Sequence, residues 1–143
     1  NHQIIRSMKR IVLLAGLFLL SSVPLFAQNI TLSRSDLEDQ LCRRWTADYL
    51  IIEGEKVMPE ENAAPIIVMF QKDGTIDHLK TNPDDPDVES SWEYSTREKL
   101  VNIYEGRTLS GQILSISEKE MIVKMMPSPD MPVNNVKVHF VPR

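Results

Sequence analysis

Residues 66–81, IIVMFQKDGTIDHLKT, decide the fold. Ile66, Val68 and Phe70 alternate with their neighbours, and alternation over this length is the mark of a half-buried strand. Asp73-Gly74 then separates that run from a second one. Asp-Gly between two apolar runs is the strongest short-range signal for a hairpin, because both residues accept the backbone twist a tight turn needs. The spacing therefore predicts a strand ending near Phe70 and an antiparallel partner over Thr75 to Thr81, with Ile76 and His78 on one face.

Working outward, the same period recurs. Towards the N-terminus, Trp45, Ala47, Tyr49 and Ile51 alternate with Thr46, Asp48, Leu50 and Ile52, and Gly54 and Pro59 mark the connection that follows. Towards the C-terminus, Asn82-Pro83-Asp84-Asp85-Pro86-Asp87 is a turn by composition. Beyond it, Trp92, Tyr94 and Thr96 alternate with Ser91, Glu93 and Ser95. Val101 and Ile103 are set against Lys99, Asn102 and Glu105. Thr108 to Ser117 resumes after Gly106, with a bulge expected at Gly111. Met121 to Met126 follows the Glu118-Lys119 turn, and Val133 to Val141 closes the chain with Val136, Val138 and Phe140 on one face.

That makes eight strands joined by short turns, with no connection long enough for a parallel crossover. Eight antiparallel strands in sequence order leave two open edges unless the sheet closes on itself. The expectation is an all-β, eight-stranded antiparallel up-and-down barrel, with a two-sheet sandwich as the alternative. Before the first strand, Ser35-Asp36-Leu37-Glu38 matches a capping box, and Leu37 and Leu41 share one helical face. A short N-terminal helix is predicted over Asp36 to Cys42, too short to stand without packing on the barrel.

The N-terminal segment reads differently. Met8-Lys9-Arg10 precedes an apolar run, Ile11 to Leu20, and Ser21, Ser22 and Pro24 break it before Phe26-Ala27-Gln28. These are the parts of a secretory signal, with cleavage expected after Ala27. The run would span roughly 15 Å as a helix, about half of a hydrocarbon core, so a membrane anchor is not expected. Asn1 to Ser7 precede the start expected at Met8. Residues 1–27 are thus read as leader and signal peptide and 28–143 as one domain, in the periplasm or outside the cell. The leader holds Arg6, Lys9 and Arg10 and no acid. Thirteen basic side chains then face all 20 acidic ones in the domain, a net charge of −7. An acidic domain without a basic cluster argues against nucleic acid or an anionic membrane surface as partner.

The order of parts resembles a known family. A short helix leads into Leu41-Cys42-Arg43-Arg44-Trp45. Then come the hairpin Phe70–Thr75, Ser91-Trp92-Glu93-Tyr94, Ile113–Ser117 and Met121–Met125. This resembles the short lipocalin-like domains of exported bacterial proteins over nearly all of residues 28–143. The family's first strand usually carries Gly-x-Trp. Trp45 matches its Trp, while Arg43 stands at its Gly. The family often stacks an Arg from late in the last strand on this Trp, which would make Arg143 the candidate here. The resemblance implies an eight-stranded barrel that carries a small molecule.

Charged positions mark the outside of such a barrel, at Asp48, Glu93, Lys99, Lys124 and Lys137. The opposite sets face in. The interior is then apolar with a few polar tips, which suits a pocket for a small apolar or amphipathic ligand. It suits a filled core equally well, and a protein acting through its surface or loops is the alternative function. The residues expected to line a ligand are Tyr49, Phe70, His78, Trp92, Tyr94, Met121 and Met125. The methionines, Met69, Met126 and Met131 among them, are read mainly as core filling. His78 beside Asp77 raises a third, weaker reading, an enzyme with a rim site. His139 falls on the outer face.

No nucleophile elbow, phosphate-binding glycine loop, CxxC or HExxH occurs, and no enzyme activity, cofactor or metal is expected. The Asp84, Asp85, Asp87 cluster lacks the frame of a calcium loop and reads as a solvated turn. Cys42, the one cysteine, is read as a small buried hydrophobe.

Overall fold

In a computed structural model, residues 29–79, 84, 86–129 and 132–143 are described. The expected signal peptide and its cleavage point lie outside them. Among the described residues a single helix, α1 (Arg34–Leu41), precedes nine strands: β1 (Arg44–Ile52), β2 (Glu55–Val57), β3 (Ile67–Phe70), β4 (Thr75–His78), β5 (Ser90–Ser95), β6 (Leu100–Glu105), β7 (Thr108–Ile116), β8 (Met121–Met125) and β9 (Val136–Pro142). All pairings are antiparallel, and β1 also pairs with β9 from Trp45↔Pro142 to Ile52↔Val136. That last seam closes β1 and β3–β9 into an eight-stranded barrel, so no long edge is left unpaired. The up-and-down order is the one the turn spacing predicts.

The ninth strand, β2, was read as connection. It folds back on the end of β1 with Leu50↔Val57 and Ile52↔Glu55. Glu53 and Gly54 form its two-residue turn with φ of 52° and 85°. Positive φ at both central positions is the turn whose twist matches that of the flanking strands. The signal was weak because Glu holds the place where Asn or Asp is usual.

Three bulges shape the barrel. On β1 the register shifts between Ala47 and Tyr49 against β9. On β7 it shifts between Leu109 and Gly111 against β6, and between Ile113 and Ser115 against β8. The bulge expected at Gly111 is thus found, with Ser110 as the extra residue. A side chain at Gly111 would place its Cβ 3.2 Å from Val123 Cγ1 and 3.3 Å from the Lys124 carbonyl oxygen, which explains the glycine.

The helix closes one end of the barrel. Its cap is Ser33, whose side chain accepts from the Asp36 amide at 3.1 Å. Capping therefore starts two residues before the expected Ser35, and α1 runs Arg34–Leu41 rather than Asp36 to Cys42. Leu37 and Leu41 are fully buried against Trp45, Val101, Ile113 and Met121. Trp45 Nε1 donates to the Leu41 carbonyl at 3.0 Å, and the Tyr94 hydroxyl donates to the carbonyls of Ile30 and Leu32 at 3.1 and 2.6 Å. Trp92 Nε1 donates to the Gln71 carbonyl at 2.8 Å. Each buried aromatic donor in this half thus has a backbone acceptor, as burial demands.

Candidate functional site

The half of the barrel away from α1 is not filled. A cavity of about 170 Å³ lies there, walled by Val68, Phe70, Ile76, Ile103, Val123, Met125, Val138 and Phe140. Its lip is made by Ile66, His78, Ser90, Glu105 and Ser110. These positions are where β3, β5 and β7 begin and β4 and β6 end, so strand polarity alone gathers them. An empty site of about 150 Å³ with such walls stays dry and accepts benzene. The cavity therefore has room for one aromatic ring or a short chain end, and not for a large ligand.

The lip is polar because the seam between β4 and β5 is short. Only Thr75↔Ser91 and Ile76↔Ser90 pair there. Beyond them His78 Nε2 meets the Ser90 hydroxyl at 2.9 Å, a side-chain link across the gap. Next to it lies a cleft of about 490 Å³ that shares Ile66, Ile76, His78 and Glu105 with the cavity and extends along Leu79 and Val88. Of the exposed large apolar side chains, Ile66, Leu79 and Val88 line this cleft, Val57 and Met58 stand at the end of the β2 hairpin, and Met69 is on the outer face of β3. Exposed apolar groups gathered at one place mark a binding region more often than scattered ones do.

The seven expected ligand residues divide. Phe70, His78 and Met125 line the cavity. Trp92, Tyr94 and Met121 do point into the barrel but pack in the closed half, bonded to backbone or fully buried. Tyr49 corrects the alternation. The bulge before it adds one residue, so every side chain from Tyr49 onward changes face. Leu50 packs on the core in place of Tyr49 and Ile51. Tyr49 stacks outside on His139, with ring centroids 4.5 Å apart, and Lys56 Nζ sits 4.2 Å from the Tyr49 centroid.

Sequence reading missed Ser90, Glu105 and Ser110. Ser90 stands two residues before Trp92 and so on its face, a signal available from alternation. Glu105 was set against Ile103 although it is two residues away and shares its inner side. Ser110 comes to the lip through the bulge, which no pattern in the residues announces.

His139 is outward, as expected, yet only 8% exposed. Its ring lies between the Asp48 carboxylate, 3.3 Å from Nδ1, and that of Glu120, 3.0 Å from Nε2. The cation over Trp45 is Arg43, 5.6 Å from the ring centroid, whereas Arg143 uses its amide to pair with the Arg44 carbonyl at 3.1 Å. Arg43, and not the expected Arg143, is thus the cation beside Trp45. Cys42 packs on the core edge, and burial, helped by the Glu38 carboxylate, pushes its thiol up. The thiolate is the nucleophile, so this thiol is a poor one at neutral pH. Among the described residues no three His, Cys, Asp or Glu side chains are grouped to hold a metal ion, and Asp85 of the acidic turn lies outside them. No described helix is long and apolar enough to cross a membrane.

The His78–Ser90 contact has the length of a nucleophile–base pair. The other ring nitrogen of His78 has no partner among the described residues, so nothing there orients the ring as such chemistry needs. A seam-holding role predicts that His78→Ala strands the buried Ser90 hydroxyl at a cost of about 1 kcal/mol. Urea denaturation checks the loss, and amide exchange should rise at Ser90 and Ser91. Unchanged stability and exchange would remove this role.

Comparison with family models, with curated proteins and with solved structures finds no match for this chain.

Proposed function

We propose that this chain is an exported, lipocalin-like binding protein that holds one small apolar or amphipathic group in the open half of its barrel. The observation that carries the reading is the 170 Å³ apolar cavity with a polar lip. A cavity of that size forgoes contacts that a filled core would make, and a guest supplies them. The helix-closed end and the strand order support the lipocalin-like reading, and the basic-then-apolar segment from Met8 to Ala27 supports export to the periplasm or beyond the cell. In this reading the chain is not an enzyme, and His78 and Ser90 serve the seam and the lip.

The packed closed half favours a second reading, an interaction protein acting through its loops. One titration separates the two. With 2-phenylethanol as probe, followed by methyl NMR, saturable shifts should centre on Val123, Val138 and Met125. Absence of any saturable shift up to millimolar probe would leave the loop reading in place.

A further inference from the structure

We infer that the bound molecule is a small primary amine, an aryl or short alkyl body carrying an ammonium head, and that Glu105 holds the head. This rests on the reading of the cavity as a ligand site. Glu105 is the last residue of β6 and sits in register opposite Ser90. It lines both the cavity and the adjoining cleft and is exposed where the two meet. It makes no side-chain hydrogen bond and no ion pair among the described residues. Its cross-strand neighbour Ser90 is bonded to His78 instead, at 2.9 Å. The lip therefore presents an unneutralised anion beside an apolar hole.

The surroundings reinforce that sign. The charged side chains that line the adjoining cleft, Asp77, Asp87 and Glu105, are all acidic. The nearest cations in register lie outside that lining, Lys124 and Lys137 beside Met125 and Val136. A cleft lined by one sign of charge concentrates ligands of the other sign. A carboxylate head at the same place would face Glu105 as a like charge. A hydroxyl head would gain the apolar contacts alone. The exposed setting of Glu105 limits the gain, since ion pairs in contact with water are worth little more than about 1 kcal/mol.

The test uses three probes of nearly one shape, 2-phenylethylamine, 2-phenylethanol and phenylacetate, titrated into the wild-type chain and Glu105→Gln. In low salt the amine should bind about fivefold tighter than the alcohol, and phenylacetate weakest. Raising the salt to about 0.5 M should narrow the gap, because exposed charges are screened. Glu105→Gln should bring amine and alcohol together and leave the alcohol unchanged. If the alcohol binds and the amine is no better, or if Glu105→Gln keeps the preference, the amine inference falls while the cavity reading stands. If none of the three binds, both fall.

Discussion

Trp45→Ala is expected to lower the stability of the fold by about 4–6 kcal/mol. Trp45 is fully buried where α1 meets β1, and its indole nitrogen holds the Leu41 carbonyl at the helix end. Truncating a buried Trp costs about 3–5 kcal/mol through lost contacts and a cavity. The lost indole hydrogen bond adds up to about 1 kcal/mol more, although the Leu41 carbonyl keeps the Arg43 amide at 2.8 Å. Domains of this size hold about 5–15 kcal/mol in all, so the loss takes about half of a typical reserve. Trp45→Phe keeps much of the ring and loses the hydrogen bond, so it should cost less than the alanine variant by about half. Urea unfolding followed by far-UV circular dichroism orders the two variants. Equal midpoints for Trp45→Ala and the wild type would mean that the closed half is not the core.

The second large effect falls on the other half and has the opposite sign for stability. Val138→Phe puts a ring into the cavity beside Val123 and Met125. In a packed core such an enlargement costs about 1–3 kcal/mol. Here a void of about 170 Å³ receives the ring, so the unfolding midpoint should stay or rise. Binding of 2-phenylethanol should fall at least about tenfold, the equivalent of about 1.4 kcal/mol. Val68→Phe, from β3 on the other side of β1, should act alike and guards against a local misfit at position 138. Variants that lose stability and keep binding would place the ligand elsewhere.

The contrast between the two halves also shows what could be read in the residues. The eight barrel strands and their order were legible because alternation and turn chemistry agree along the chain, with Asp73-Gly74 and Pro83–Pro86 as the clearest breaks. Closure followed from the need to cover two edges. The inner faces of β3, β5 and β9 were legible for the same reason. Tyr49 was not, since a one-residue bulge reverses the face of everything after it and leaves no mark in composition. The cavity itself was not legible either. Whether inward side chains meet depends on which end of the barrel the helix plugs, and Leu37 and Leu41 are placed there by tertiary packing alone. Large inward aromatics, Trp92 and Tyr94, were expected to line a ligand because they share the inner face. Size is why they fill the closed half instead, with their polar atoms bonded to backbone. The small and charged lip residues Ser90 and Glu105 carry less signal in sequence, and the structure brings them together.

Xenon binding reads the central claim most directly, since xenon enters dry apolar cavities and needs no polar recognition. In a crystal of the protein pressurised with xenon, one site is expected, enclosed by Phe70, Ile103, Val123 and Val138, and absent in Val138→Phe. A barrel with no xenon in its open half, or with ordered water filling that space, would contradict the account.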